Sequence, residues 1–76
     1  MTLAERIRAA RIERRMSQET LAQRANMSLR AYTSLERGEA VDPHLSTLRK
    51  LAEALGVSVY TLMGEEVHPP DPLAVA

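Results

Sequence analysis

Arg30, Thr33, Ser34 and Arg37 carry the most suggestive chemistry in the chain. At about 100° per residue they fall on one face of a helix expected from about Leu29 to Arg37. No large apolar side chain shares that face, and its two guanidinium groups stand seven positions apart. A guanidinium is a planar fork of donors that fits phosphate oxygens and the acceptor edge of a guanine, and hydroxyls supply shorter polar contacts. This is chemistry for recognising a nucleic acid duplex rather than for breaking bonds. A solvated helix face is the alternative, because most surface arginines do no more than that. The remaining residues supply no reaction centre. The chain has no Cys, hence no thiolate nucleophile, disulfide or thiolate zinc site. His44 and His68 are far apart and lack supporting acids, so they suggest no metal site. No Ser-His-Asp arrangement or glycine-rich phosphate loop is present. An enzyme is not expected, and no cofactor is implied.

The elements that must position this face lie in the stretch from Ser17 to Gly38, which reads as two short helices joined by a tight turn. Ser17 and Ser28 each precede an apolar-periodic run, where a hydroxyl caps a helix N-terminus. Met16 with Leu21, and Met27 with Tyr32, have the spacing of hydrophobic staples across those caps. Asn26 tolerates the left-handed conformation that ends one helix and turns the chain, and Ala22 is small enough for a close crossing. Two such helices form a helix-turn-helix unit. Within the second, Tyr32 and Leu35 define the inner face, flanked by Ala31, while Leu29 and Glu36 lie at the border.

The other helices follow from caps and periodicity. Thr2 with Glu5 is a capping box that opens a first helix reaching about Arg14, with Leu3, Ile7 and Ala10 inward and Ile12 a weaker candidate. Arg6, Arg8, Arg14 and Arg15 fall outside that stripe, and Arg15 and Met16 read as a short connector. The second helix spans about Gln18 to Ala25, burying Leu21, Ala22 and Ala25. After a loop from Glu39 to Pro43, a fourth helix from about Leu45 to Leu55 places Leu45, Leu48, Leu51, Ala52 and Leu55 in the core, with His44 at its start. A fifth short helix begins after Ser58, with Val57 and Leu62 as a third staple, and Gly64 ends it. The expected fold is all-α, five helices in one domain over residues 1–64. Residues 65–76 form a Pro-rich tail with three prolines in four positions, in which Leu73 and Val75 are candidate anchors for a partner.

At 76 residues the domain is small and marginal as a monomer, so dimerisation would help it. Net charge is zero, yet its distribution is polarised. Through Gly38, eight arginines against four glutamates give +4; beyond it, two bases against six acids give −4. The positive half coincides with the proposed reader. No apolar run approaches the ~20 residues of a membrane span, and absence of Cys fits a reducing, cytoplasmic setting.

In this order and spacing, Ser17-Gln18-Glu19, Leu21-Ala22, Leu35-Glu36-Arg37-Gly38, and the run Leu48, Leu51, Ala52, Ala54 through Ser58 resemble the lambda-repressor/Cro-type helix-turn-helix family. The resemblance covers roughly Leu3 to Met63. It implies a compact five-helix domain, a symmetric dimer on a palindromic operator, and a third helix in the major groove of double-stranded DNA. By position, Gln18 and Arg37 match DNA-backbone contacts. Ser28, Leu29, Arg30, Thr33 and Ser34 match the base-reading set. Arg11 and Glu36 match a structural ion pair joining the first helix to the third. Of the readers, Arg30 is the best placed to pair with guanine; Leu29 offers at most an apolar contact to a thymine methyl or sugar. Asn26 replaces the usual turn glycine. Glu39 and Asp42 make the following loop acidic, which weakens the case for phosphate contacts there. The expected function is a sequence-specific transcriptional regulator. The alternative is a protein-interaction module, such as an antitoxin or co-regulator, that binds a protein partner through the fifth helix and the tail.

Overall fold

Among the described residues, five helices begin and end where the local chemistry marks them. The computed structural model describes residues 1–39 and 43–64, and the helices are α1 (Leu3–Glu13), α2 (Gln18–Arg24), α3 (Leu29–Glu36), α4 (Leu45–Leu55) and α5 (Val59–Met63). No strand occurs among the described residues, so the fold is all-α. Asp42, His68 and the tail with Leu73 and Val75 lie outside the described residues.

Capping explains the starts. The Thr2 amide donates to Glu5 Oε1 and the Glu5 amide to Thr2 Oγ1, both at 3.2 Å. The Thr2 backbone N–H, above all, holds the exposed Glu5 carboxyl below its ordinary value. Ser17, Ser28 and Ser58 each accept from the amide three residues on, at 3.0–3.1 Å. His44 occupies the cap position of α4 but makes no side-chain cap bond. The ends differ. Gly56 and Gly64 take left-handed conformations after α4 and α5, with φ of +71° and +78°. Asn26 does the same after α2 at φ +54°, as its side chain permits. Arg15 also lies at φ +55°. That conformation is unexpected for a residue read from sequence as a plain connector.

The helices close around one core of Ile7, Leu21, Ala22, Ala25, Tyr32, Leu35, Leu51, Ala52, Leu55 and Leu62. Met16, Met27 and Val57 are partly buried against this core, which includes Leu21, Tyr32 and Leu62. Leu3 and Ala10 of α1 are half-buried around Ile7. α3 packs on α2 and α1, while α4 packs on α2, α5 and α1.

Three apolar positions depart from the periodicity reading. Leu45 shares the inward stripe of α4 yet is 51% exposed, because its place in the first turn carries it past the core toward the rim of α5. Ala31 is exposed, since no described element covers that flank of α3. Ile12, the weaker candidate on α1, is 54% exposed.

Candidate nucleic-acid interface

α3 owes its orientation to what its inner side touches. Tyr32 is fully buried and Leu35 nearly so. At the border, Glu36 is held by α1: Arg11 Nη2 donates to Oε1 at 2.9 Å and Arg11 Nε to Oε2 at 3.1 Å. The remaining Arg11 nitrogen, Nη1, donates to the Met16 carbonyl at 2.9 Å, just before the cap of α2. One side chain of α1 therefore fixes both the start of α2 and the last turn of α3. This bidentate, charge-assisted pair is enclosed, with side-chain exposures of 13% for Arg11 and 5% for Glu36.

Burial alone would raise the Glu36 carboxyl, but the Arg11 bonds, with help from Tyr32 and Gln18, outweigh it and hold the pKa below the ordinary value. The same bonds raise the Arg11 guanidinium. Burial, and after it the Glu36 carboxylate, pushes the Tyr32 hydroxyl well above its usual range. That hydroxyl is buried without a hydrogen bond of acceptable geometry, despite its nearness to Glu36.

With the inner face pinned, the helical repeat turns Arg30, Thr33, Ser34 and Arg37 outward together. Arg30 and Arg37 are exposed, while Thr33 and Ser34 are half-buried. Thr33 Oγ1 donates to the Arg30 carbonyl at 3.0 Å, so its proton is engaged within the helix. Leu29 is 45% exposed at the edge of this face. The hydroxyl of Ser28 is occupied in capping the helix. Gln18 lies half-buried at the first position of α2, close to the Glu36 carboxylate. The Ser28-to-Arg37 group is continuous along one helix, and Gln18 reaches its rim from the neighbouring one.

Two features had no sequence signal strong enough to single them out. Arg8 Nε stands 3.8 Å from Glu36 Oε1, with the Arg8 side chain 65% exposed. Across the molecule's α4–α5 edge, Leu45, Val59, Tyr60 and Met63 gather beside Arg49. Tyr60 is 56% and Met63 43% exposed there. Helical spacing showed that Arg8 pointed away from the core of α1, but not which neighbour it met.

A capped pair of helices with a left-handed turn residue, the second helix anchored inside and polar outside, defines the helix-turn-helix class. The family model described as "Helix-turn-helix" matches residues 7–62, and the chain belongs to that family, in its lambda-repressor/Cro-type branch. Among curated relatives, it is similar to the immunity repressor protein of Bacillus phage phi105. The two are 44% identical over 66 residues, a match covering 87% of this chain and 45% of that protein. It is also similar to the HTH-type transcriptional regulator DdrOP3 of Deinococcus deserti, at 38% identity over 63 residues, covering 83% of this chain and 48% of the relative. The chain thus spans about half the length of the curated relatives it matches.

Proposed function

We propose that this chain is a sequence-specific, DNA-binding transcriptional regulator that acts as a dimer on a palindromic operator with α3 in the major groove. The observation that carries the proposal is the division of α3 between an inner side locked by Tyr32, Leu35 and Glu36 and an outward side of guanidinium and hydroxyl groups. Arg30 takes the role of principal base reader, donating to the N7 and O6 edge of a guanine. Thr33, Ser34, Ser28 and Leu29 line the groove beside it. Gln18 and Arg37 contact phosphates, setting position without reading sequence. Family membership, the names of the two relatives and the basic N-terminal half support this reading.

The exposed Leu45, Tyr60 and Met63 support self-association, since a cluster of this kind at one edge is suited to burial against a second copy. They equally favour the second reading, a protein-interaction module whose partner covers α5. The oligomeric state of the isolated chain separates the two: a dimer supports the operator reading, and a stable monomer favours a foreign partner.

Selection of bound sequences from a random duplex library, followed by binding at several salt concentrations, tests the function directly. The regulator reading expects a palindromic consensus and a steep salt dependence, with a log–log slope of roughly −0.9 per phosphate neutralised. Arg30→Ala should relax preference at one base pair per half-site, at a cost of about 1–3 kcal/mol of discrimination. Arg37→Ala should weaken all sequences alike and flatten the slope by about one phosphate. Unchanged selectivity in Arg30→Ala would remove that residue from the reading role, and a flat salt response in the wild type would remove DNA as the partner.

A further inference from the structure

We infer that Arg8, on α1, is a further phosphate-contacting residue, gripping the DNA strand on the same flank as Gln18, a role that rests on α3 being a DNA reader. Three groups from two helices, α1 and α2, meet at Glu36 on α3. Arg11 supplies two hydrogen bonds at 2.9 and 3.1 Å, one to each carboxylate oxygen. Gln18 approaches from the start of α2. Arg8 stands at 3.8 Å, beyond hydrogen-bond reach, and remains 65% exposed. A single carboxylate therefore faces two guanidinium groups, and the charge of Arg8 is in excess.

Its location gives that excess a use. Glu36 sits at the border of α3 between the buried and outward faces, so the groups around it form a rim of the reading surface. Arg37, the next residue, is exposed at the end of the same helix. Glu39, which follows α3, is acidic and exposed, so it repels a phosphate instead of holding one. Arg37 therefore works beside an acidic neighbour, and α1 adds a second long, solvated guanidinium near the same end of α3. Its planar donors can take a phosphate oxygen in the bidentate manner that arginine favours. The ion pair with Glu36 is too long and too exposed to compete strongly.

The test is a binding titration of the full chain on random-sequence duplex DNA across a salt series, comparing wild type, Arg8→Gln, Arg8→Lys and Arg24→Gln. Arg24 is exposed at the far end of α2 and serves as the control for a general loss of charge. Arg8→Gln should make the log–log slope shallower by about 0.9, so that a fourfold rise in salt weakens binding roughly 3.5-fold less than it weakens the wild type. Arg8→Lys and Arg24→Gln should keep the wild-type slope, and Arg8→Gln should leave sequence preference intact. A steep wild-type slope that Arg8→Gln leaves unchanged, or that Arg24→Gln reduces equally, overturns the assignment of Arg8 while the DNA reading stands. A flat wild-type slope overturns both.

Discussion

Replacing Glu36 by Gln tests whether the α1–α3 tie holds α3 in place. The substitution keeps the shape and one acceptor but removes the charge opposite Arg11. Two charge-assisted bonds at 2.9 and 3.1 Å are weakened or lost, and a guanidinium only 13% exposed is left without its counter-ion. Breaking a fully buried pair costs about 3–5 kcal/mol. The residual exposure of Arg11, its retained bond to the Met16 carbonyl and the Gln oxygen reduce this to about 2–3 kcal/mol. A domain of this size has a total stability on the order of 4–11 kcal/mol, so the loss is a large fraction of it. At about 4–8 °C per kcal/mol, the melting temperature should fall by roughly 10–20 °C.

The pH dependence sharpens the test. The Glu36 carboxyl binds its proton less tightly in the folded state than in the unfolded one. Its contribution is therefore complete above the ordinary carboxyl value of 4.5 and is lost as pH falls through the lower folded value. Denaturant melts of wild type and Glu36→Gln should differ most near neutrality and converge as pH drops beneath 4.5. The acid response of Glu5 is common to both proteins and cancels in the difference. A gap under about 0.5 kcal/mol at neutral pH, which is the range of ordinary surface substitutions, or a gap that ignores pH, would refute the reasoning.

Arg15→Gly should raise stability by roughly 0.5 kcal/mol, because relief of the left-handed strain at φ +55° exceeds the greater freedom glycine brings to the unfolded chain; a lower unfolding midpoint would show that Arg15 makes compensating contacts. Tyr60→Glu should leave the monomer's fold unchanged, since the ring is 56% exposed, while weakening any dimer, and sedimentation equilibrium over a concentration series measures this. An unaltered dimer would place the interface elsewhere.

The caps made the helices legible. Thr2, Ser17, Ser28 and Ser58 each stand directly before a helix, and Asn26, Gly56 and Gly64 lie where left-handed turns occur. These are local effects, decided within four or five residues. The Arg11–Glu36 contact came from family resemblance, since no spacing rule relates positions 25 apart. Positions that depended on the neighbouring helix were misread. Leu45 has the period of a core residue, yet only the reach of α5 decides whether anything covers it. Ala31 is small and apolar, which says nothing about an empty flank. Arg15 carried no sign of its backbone, because a long cation is an unusual occupant of a position that suits glycine or asparagine. The proximity of Arg8 to Glu36 needed the crossing of α1 over α3, which periodicity along one helix does not contain.

On the proposed reading the two sides of α3 have separate jobs, and this shapes how such a protein can change. Tyr32, Leu35 and Glu36 serve as a chassis, whereas Arg30 is exposed and Thr33 and Ser34 lie outside the core cluster. New targets can then be acquired by rewriting a few outward letters, one at a time, without passing through an unfolded ancestor. Drift in the Arg11–Glu36 couple, by contrast, requires both partners to move together, so the frame should outlast the message it displays.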